Sequence, residues 1–389
     1  MGTPRSRSRT LNLHSPGSYQ SGYYPGGNWT PLGGPVSGSS LPNISETCDD
    51  TLGPGPPYVE PHSLNITKFK CVPLLLSGEA RLSSFNWRRH TNYAWASWTG
   101  HQYVDPLGAT DWNYWHAKAL ASINPFTPQV DIPLFLFELK DFPRMLRGLG
   151  DVLSGRSKPR DVPGGYLAYQ FGWAPLLSDL GKLADFAKLF ADAQNALTNA
   201  ANGGRVSHSL GGKSSPGSAG TFSYALGSDG NYTLGTLSST SVKGWCTART
   251  FLTEPLPIPV YEREMFILRT ALGLNVSAAT IWNAIPWSWL LDYFFNIGLL
   301  MEARRGYSSW NFKDLHVMVK STKTTHIAST LNQVRSMSYS GGKKIYTRKE
   351  RSYVGSNPNV GFGFAPMLNL RQASILGALL TASSLRMAR

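Results

Sequence analysis

Apolar spacing along this chain changes period in blocks, and this constrains the fold more than any other feature. From Leu64 to Tyr103 the pattern has period two, with Phe85/Trp87 and Tyr93/Trp95 alternating as strand residues do. Helical spacing follows. Thr110-Asp111 offers a cap, Trp112, Trp115, Ala119, Leu120 and Ile123 form one stripe, and Asn124-Pro125 ends it. Asp131 and Pro133 open a second helix through Leu134, Phe135, Leu139 and Phe142, with a kink expected at Pro143. The clearest helix is predicted from Pro175 to about Ala201. There Leu176, Leu180, Leu183, Ala187, Phe190, Gln194 and Leu197 step by fours and threes until Gly203-Gly204.

Strand spacing returns between Gly203 and Pro255. Phe222, Tyr224 and Leu226 alternate, Gly227-Ser228-Asp229-Gly230 turns, and Tyr232 and Leu234 answer, which predicts a hairpin with a four-residue loop. Helices are predicted over Glu262–Leu274 and Ser277–Ala303. Asn311–Tyr353 reads as strand, with Leu315/Val317/Val319 alternating and Gly341-Gly342 as a tight turn. A last helix over Pro366–Arg389 presents Leu368, Ile375, Leu379 and Leu380. Blocks of this kind, rather than βαβ units, predict an α+β fold with segregated parts. Residues 58–110, 204–260 and 307–360 would join as an antiparallel β-rich region. Residues 111–203, 261–306 and 361–389 would bury their stripes in a helical bundle. Residues 1–57 hold ten Gly and nine Pro, a share typical of segments without regular structure. Tyr19, Tyr23, Tyr24 and Trp29 punctuate them, so an extended arm pinned by its aromatics is expected.

Charge narrows the partners. Lys and Arg number 37 against 23 Asp and Glu, a net charge of +14 although only 15% of residues are charged. Such a surface attracts polyanions. Arg304–Arg351 carries eleven of the cations (Arg304, Arg305, Lys313, Lys320, Lys323, Arg335, Lys343, Lys344, Arg348, Lys349, Arg351) against Asp314 and Glu350. Lysines along a strand can simply deter edge pairing. Tyr339, Tyr346 and Tyr353 interleave with these charges, however, and favour an anionic partner that also stacks. Smaller clusters are Arg144/Arg147, Arg156/Lys158/Arg160 and Arg386/Arg389, where a helix dipole is a sufficient explanation.

Other chemistry finds little support. Cys48, Cys71 and Cys246 are too few and scattered for a disulfide framework or a zinc site, and fit a reducing cytoplasm. No metal or cofactor is expected, and no small-molecule substrate. Gly-x-Ser-x-Gly, His-Glu-x-x-His and Gly-x-Gly-x-x-Gly are absent, so no enzyme is expected. Gly211-Gly212-Lys213-Ser214 is like the end of a P-loop, but Ser207 stands where the first glycine is required. Arg5, Arg7 and Arg9 are not followed by an apolar stretch, so no secretory signal is read. Ile281–Met301 has the length and apolarity of a membrane span, but Asn283, Pro286, Asp292 and Asn296 interrupt it and favour a buried helix.

Two stretches are compositionally unusual. One is Gln170-Phe171-Gly172-Trp173-Ala174-Pro175-Leu176-Leu177-Ser178-Asp179, the other Trp282-Asn283-Ala284-Ile285-Pro286-Trp287-Ser288-Trp289-Leu290-Leu291-Asp292-Tyr293. Each packs bulky side chains around a proline suited to a first helical turn. Each then places an acid that needs a donor if buried. Taken singly, they read as core helix starts. Taken in order, they resemble the maturation (A) protein of the single-stranded RNA bacteriophages, the leviviruses. The matching residues are Gln170, Phe171, Gly172, Trp173, Pro175, Leu176, Ser178 and Asp179, then Trp282, Pro286, Ser288, Asp292 and Gly298. Trp287 and Trp289 supply the aromatics after the proline and after Ser288. Asn28-Trp29-Thr30-Pro31 and the tail Leu385-Arg386-Met387-Ala388-Arg389 are similar to the family's as well.

The resemblance implies an elongated molecule, helical at one end and β-rich at the other. It implies one copy per virion within the coat-protein shell, bound to the genomic RNA near its 3′ end. Attachment to a bacterial pilus and entry with the RNA would follow, the protein being made in the host cytoplasm. On this basis Arg144, Arg147, Arg304, Arg305, Arg386 and Arg389 are expected to face RNA. Lys343, Lys344, Arg348, Lys349 and Arg351 are expected to meet the receptor. Other classes remain open: a membrane-active or cell-wall-inhibiting lysis protein, motivated by Ile281–Met301, and a non-viral RNA-binding protein.

Overall fold

The computed structural model describes residues 3–14, 17–24, 28–37, 41–52, 63–81, 86–94, 98, 107–139, 166–167, 169–170, 174–215, 217–225, 231–285, 288–292, 295, 297–332, 337–355, 374–379 and 381. The fold is mixed α+β, with short helices and a large antiparallel sheet. Strands come first: β1 (Thr3–His14), β2 (Ser18–Tyr23), β3 (Thr30–Pro31), β4 (Val36–Ser37), β5 (Leu41–Leu52), β6 (Leu64–Arg81) and β7 (Trp87–Ala94). Helices α1 (Trp112–Ile123), α2 (Ile132–Leu139), α3 (Ala174–Ala184) and α4 (Phe186–Ala201) follow. Then come β8 (Arg205–Ser215), β9 (Ala219–Ala225) and β10 (Asn231–Leu252), and helices α5 (Val260–Ala271), α6 (Ala278–Ala284), α7 (Ser288–Asp292) and α8 (Ile297–Ala303). Strands β11 (Trp310–Asn332) and β12 (Ser338–Val354) complete the described elements.

The strands hydrogen-bond in the order β3-β2-β7-β6-β12-β11-β10-β8, with β1 on β5, β5 on β6, β4 on β2 and β9 on β10. The chain divides into two compact units. One holds residues 1–110, 214–243 and 318–352, the other residues 111–213, 244–317 and 353–389. The first is built on strands, the second carries the helices. The arm expected over residues 1–57 is itself strand over 3–14 and 41–52, where β1 pairs with β5 from Thr3↔Leu52 to Leu11↔Ile44. Its aromatics are pinned. Arg89 lies over the Trp29 ring at 4.5 Å, Trp29 meets Tyr24 edge-on, and Arg88 lies over Tyr19 at 4.3 Å.

The strand unit closes around Phe69, Cys71, Leu74, Leu76, Trp98, Tyr232, Leu234 and Met337. The predicted hairpin forms, with Phe222 opposite Leu234 and Tyr224 opposite Tyr232. Its loop lies outside the described residues. In the helical unit α1 begins where read, because the Asp111 carboxylate accepts from the Tyr114 N–H. Trp115, Ala119, Leu120 and Ile123 are buried on it, whereas Trp112 is only partly so. Asp131 likewise accepts from the Leu134 N–H at the start of α2. Phe142 and Pro143 lie outside the described residues.

Three expectations need correction. The helix from Pro175 to Ala201 is two helices broken at Asp185, and the buried stripe of α4 is Leu189, Ala193, Leu197 and Ala200. Ala187 and Gln194 are exposed, whereas Leu197 of the predicted seam is buried and Leu183 and Phe190 pack against the same cluster, so the seam is right in part and its centre shifts to Leu189 and Ala193. The helix over Ser277–Ala303 is three short pieces. Ile285 is extended (ψ 125°), as a residue before proline prefers. Among the described residues no helix is long and apolar enough to cross a membrane. The Gly341-Gly342 turn is not a turn. Both glycines sit inside β12 with φ of +76°, and a Cβ on Gly341 would lie 2.2 Å from the Pro73 carbonyl oxygen. Gly341 serves close backbone approach to β6, and Gly342 leaves room for the Ile327 side chain of β11. Strand β11 ends at Asn332 and β12 begins at Ser338, both before this pair of glycines. Of the last predicted helix, only 374–379 and 381 are described, and Ile375 is buried there.

His90 on β7 is 2% exposed, beside Tyr19 and Tyr93. Burial, and then the Arg88 charge, push its imidazole from 6.5 down to about 4. The unfolded chain therefore binds a proton first as pH falls. Stability is whole above pH 6.5 and declines toward pH 4, by on the order of 3 kcal/mol in all. Urea midpoints measured across that window should show the decline, and His90→Gln should flatten it. Equal slopes for the two proteins would discard His90 as the cause.

Candidate receptor and nucleic-acid interfaces

Period two divides the basic strand β12. Successive side chains point to opposite sheet faces, so neighbours in sequence are not neighbours on the surface. Lys344 and Arg348 lie on the core-facing side. The Lys344 ammonium sits 4.3 Å from the Trp98 ring centroid, and burial lowers its pKa. Arg348 is 8% exposed. It donates to the Gly108 carbonyl at 2.6 Å and Thr110 Oγ1 at 3.2 Å, and pairs with Glu350 at 3.0 Å. The guanidinium is thus a clamp on the chain at 107–110, with little left for a receptor.

Lys343, Lys349 and Arg351 lie on the opposite, outer face, where the register assembles a wider surface. Across β1, β5, β6 and β12 run the rows Arg5–Asp50–Leu64–Arg351, Arg7–Cys48–Ile66–Lys349 and Arg9–Glu46–Lys68–Thr347. Next come Ile44–Lys70–Ile345 and Val72–Lys343. Eight cations share this face with two acids. Arg5 grips Asp50 with two hydrogen bonds of 2.9 and 2.6 Å, and Arg7 reaches the same carboxylate at 3.3 Å. The Arg5 bond holds the Asp50 carboxyl below its usual range. Lys68 neutralises Glu46. Arg9, Lys70, Lys343 and Lys349 are exposed and form no ion pair among the described residues. Sequence reasoning missed Arg5, Arg7, Arg9, Lys68 and Lys70. Their signal was the alternation in Arg5-Ser6-Arg7-Ser8-Arg9 and Lys68-Phe69-Lys70.

Stacking rings are missing from these rows. Tyr346 stands opposite Phe69 and Tyr339 opposite Leu76, both packed against the strand-unit core, while Tyr353 meets His316 at 5.2 Å. The interleaved tyrosines are packing residues. The outer face offers charge and aliphatic side chains such as Ile66, Val72 and Ile345, but no aromatic ring in these rows.

The expected RNA-facing arginines also separate. Arg304 is exposed. Arg305 is 7% exposed and donates to both Glu302 oxygens at 2.9 Å and to Asp131 at 3.3 Å. Asp131 further accepts from Thr280 at 2.8 Å, and Asn124 caps the Glu302 and Arg305 carbonyls at 3.0 and 2.8 Å. This network ties α1, α2, α6 and α8 together. Arg144, Arg147, Arg386 and Arg389 lie outside the described residues.

In the second aromatic motif, Asp292 has the donors its burial requires. The Trp282 indole N–H reaches one oxygen at 3.1 Å and the Gly298 N–H the other at 2.8 Å. A Cβ on Gly298 would stand 2.6 Å from that carboxylate. The motif thus stitches three short helices, and Ser288 is buried among them. Pro175 takes the second position of α3 as a first-turn proline does. Ser178 is exposed, Gln170 half-buried, and Asp179 pairs with Lys182 at 3.2 Å on the helix surface. Phe171, Gly172, Trp173, Pro286 and Trp287 lie outside the described residues, as does the side chain of Trp289, whose backbone sits in α7.

One further cluster joins cations to rings. Lys213 of β8 lies 4.1 Å from the Tyr114 ring centroid on α1. Lys118 lies 5.5 Å from the same ring and donates to its hydroxyl at 3.3 Å. Comparison with known protein-family models and with curated protein sequences finds no match to this chain.

Proposed function

We propose that this protein is a maturation protein of a single-stranded RNA bacteriophage. In this reading one copy sits in each coat-protein shell and holds the genomic RNA near its 3′ end. It attaches the virion to a host pilus and enters with the RNA. In this reading the helical unit carries the contact with RNA and the strand unit the contact with the receptor.

The observation that carries the reading is the contrast between two basic surfaces. The outer face of β1-β5-β6-β12 presents eight cations without a stacking ring. It suits an acidic protein surface, where complementarity of charge speeds encounter and sets register. Folded RNA is held by phosphate contacts together with rings that take unpaired bases. Cations and rings occur together in the helical unit at Lys118, Lys213 and Tyr114, whereas the cation–ring pairs of the strand unit, Arg88–Tyr19, Arg89–Trp29 and Lys344–Trp98, lie away from this outer face. The bridged Asp292 motif supports the same family, since its carboxylate has a structural duty that requires Trp282 and Gly298.

Binding to the cognate 3′ RNA should be strongly salt-dependent. Each phosphate neutralised contributes about −0.7 to the slope of log K against log salt for single strands. Anisotropy titrations of labelled RNA with the full chain over a salt series measure this. A flat plot would remove phosphate contact as the source of affinity.

A further inference from the structure

We propose that Lys118 and Lys213, drawn together over Tyr114, form a binding site for a backbone phosphodiester of single-stranded RNA. The inference rests on the RNA-binding reading above and names the contact.

Tyr114 and Lys118 are four residues apart on α1 and so share a helix face. The helix is seated against β10 by Trp115, which fills the space that Gly244 leaves: a Cβ there would lie 2.4 Å from the indole ring. Lys213 arrives from β8, the strand at the end of the sheet order. Two ammoniums therefore converge on one ring from separately anchored elements. Neither forms an ion pair among the described residues, and both are only partly exposed.

The charges nearby do not cancel this pair. Asp111 is the carboxylate that acts on Lys213, and its Oδ1 is taken by the helix cap at 3.3 Å. Its Oδ2 is buried without a hydrogen-bond partner, so it offsets one of the two cations at most. His116, held toward the neutral form by burial, stacks on Trp112 at 5.6 Å. Burial, then repulsion from Lys118, pushes the Lys213 ammonium down to about 8. An anion seated between the two would relieve both penalties.

Access and chemistry select the ligand. Gly211 and Gly212 precede Lys213 without side chains, and a Cβ on Gly211 would meet nothing within 4 Å. An extended chain can reach the ammoniums past them. Lysine binds phosphate as a point charge, which suits a diester that turns away on both sides.

The test uses the full chain and a fluorescein-labelled single-stranded fragment of the cognate 3′ RNA. Lys213, being partly deprotonated near pH 8, is acetylated and its modification read by mass spectrometry. RNA should suppress that labelling, and Lys118→Gln/Lys213→Gln should weaken binding by about tenfold, as loss of two charge-assisted contacts implies. Lys118→Arg/Lys213→Arg should restore affinity and guards against a folding defect. If RNA binds while Lys213 labels at an unchanged rate and the Gln variant keeps its affinity, this site is wrong and the general reading survives. If inorganic phosphate protects Lys213 but RNA does not, the site is one for a free anion and the inference falls. If the wild-type chain binds no RNA, the functional reading fails with it.

Discussion

Arg305→Ala should cost the helical unit about 3–5 kcal/mol, because it strips the cation from two carboxylates in a buried network. Glu302 and Asp131 lose the guanidinium that lies between them, and its side chain is only 6% exposed. Arg304→Ala, one residue away and exposed, should stay within about 0.5 kcal/mol. Urea unfolding followed by tryptophan fluorescence measures both. An Arg305→Ala protein with an unchanged midpoint that fails only at RNA binding would return this arginine to the contact set.

The second large effect concerns the outer face. Changing Lys343, Lys349 and Arg351 together to Gln should yield particles that package RNA and keep their stability yet adsorb poorly to cells. The three side chains lie on one face with Arg5, Arg7 and Arg9, and each removal weakens a shared field. Arg348→Gln should behave differently, destabilising the protein because the Gly108 carbonyl loses its donor and Glu350 its ion-pair partner. Particle adsorption and RNA content, assayed side by side, separate the two. Should the triple variant lose RNA and still adsorb, the assignment of the two surfaces must be exchanged.

What could be read in advance was local. The Asp111 cap spans three positions and the pairing of Phe222 with Leu234 twelve, and each was legible. The need of Asp292 for a donor followed from desolvation, but Trp282 and Gly298 as those donors are tertiary facts. Faces were harder. Leu189 and Phe190 both fit a helical stripe and both meet the cluster of Val130, Ile267 and Ala271, and only tertiary packing makes Leu189 the buried one and Phe190 its partly buried flank. Lys343 and Lys344 look like one cluster in sequence, although the pleat sends them to opposite sides. Applying period two to β12 would have parted them. Gly341-Gly342 carried a signal of positive φ, yet the same signal serves a turn or a close approach, and Pro73 on a distant strand decides between them. Arg305 was set apart from Arg304 locally only by Glu302 three residues before it, and its second partner Asp131 lies 174 residues away.

The central claim is that this chain holds a viral RNA at one place inside a coat-protein shell. Ultraviolet cross-linking in purified particles, followed by sequencing of the attached RNA, tests it most directly. The expected result is one copy of the chain per particle, with cross-links concentrated near the 3′ end of the genome. Particles that lack the chain, or cross-links spread evenly along the RNA, would contradict it.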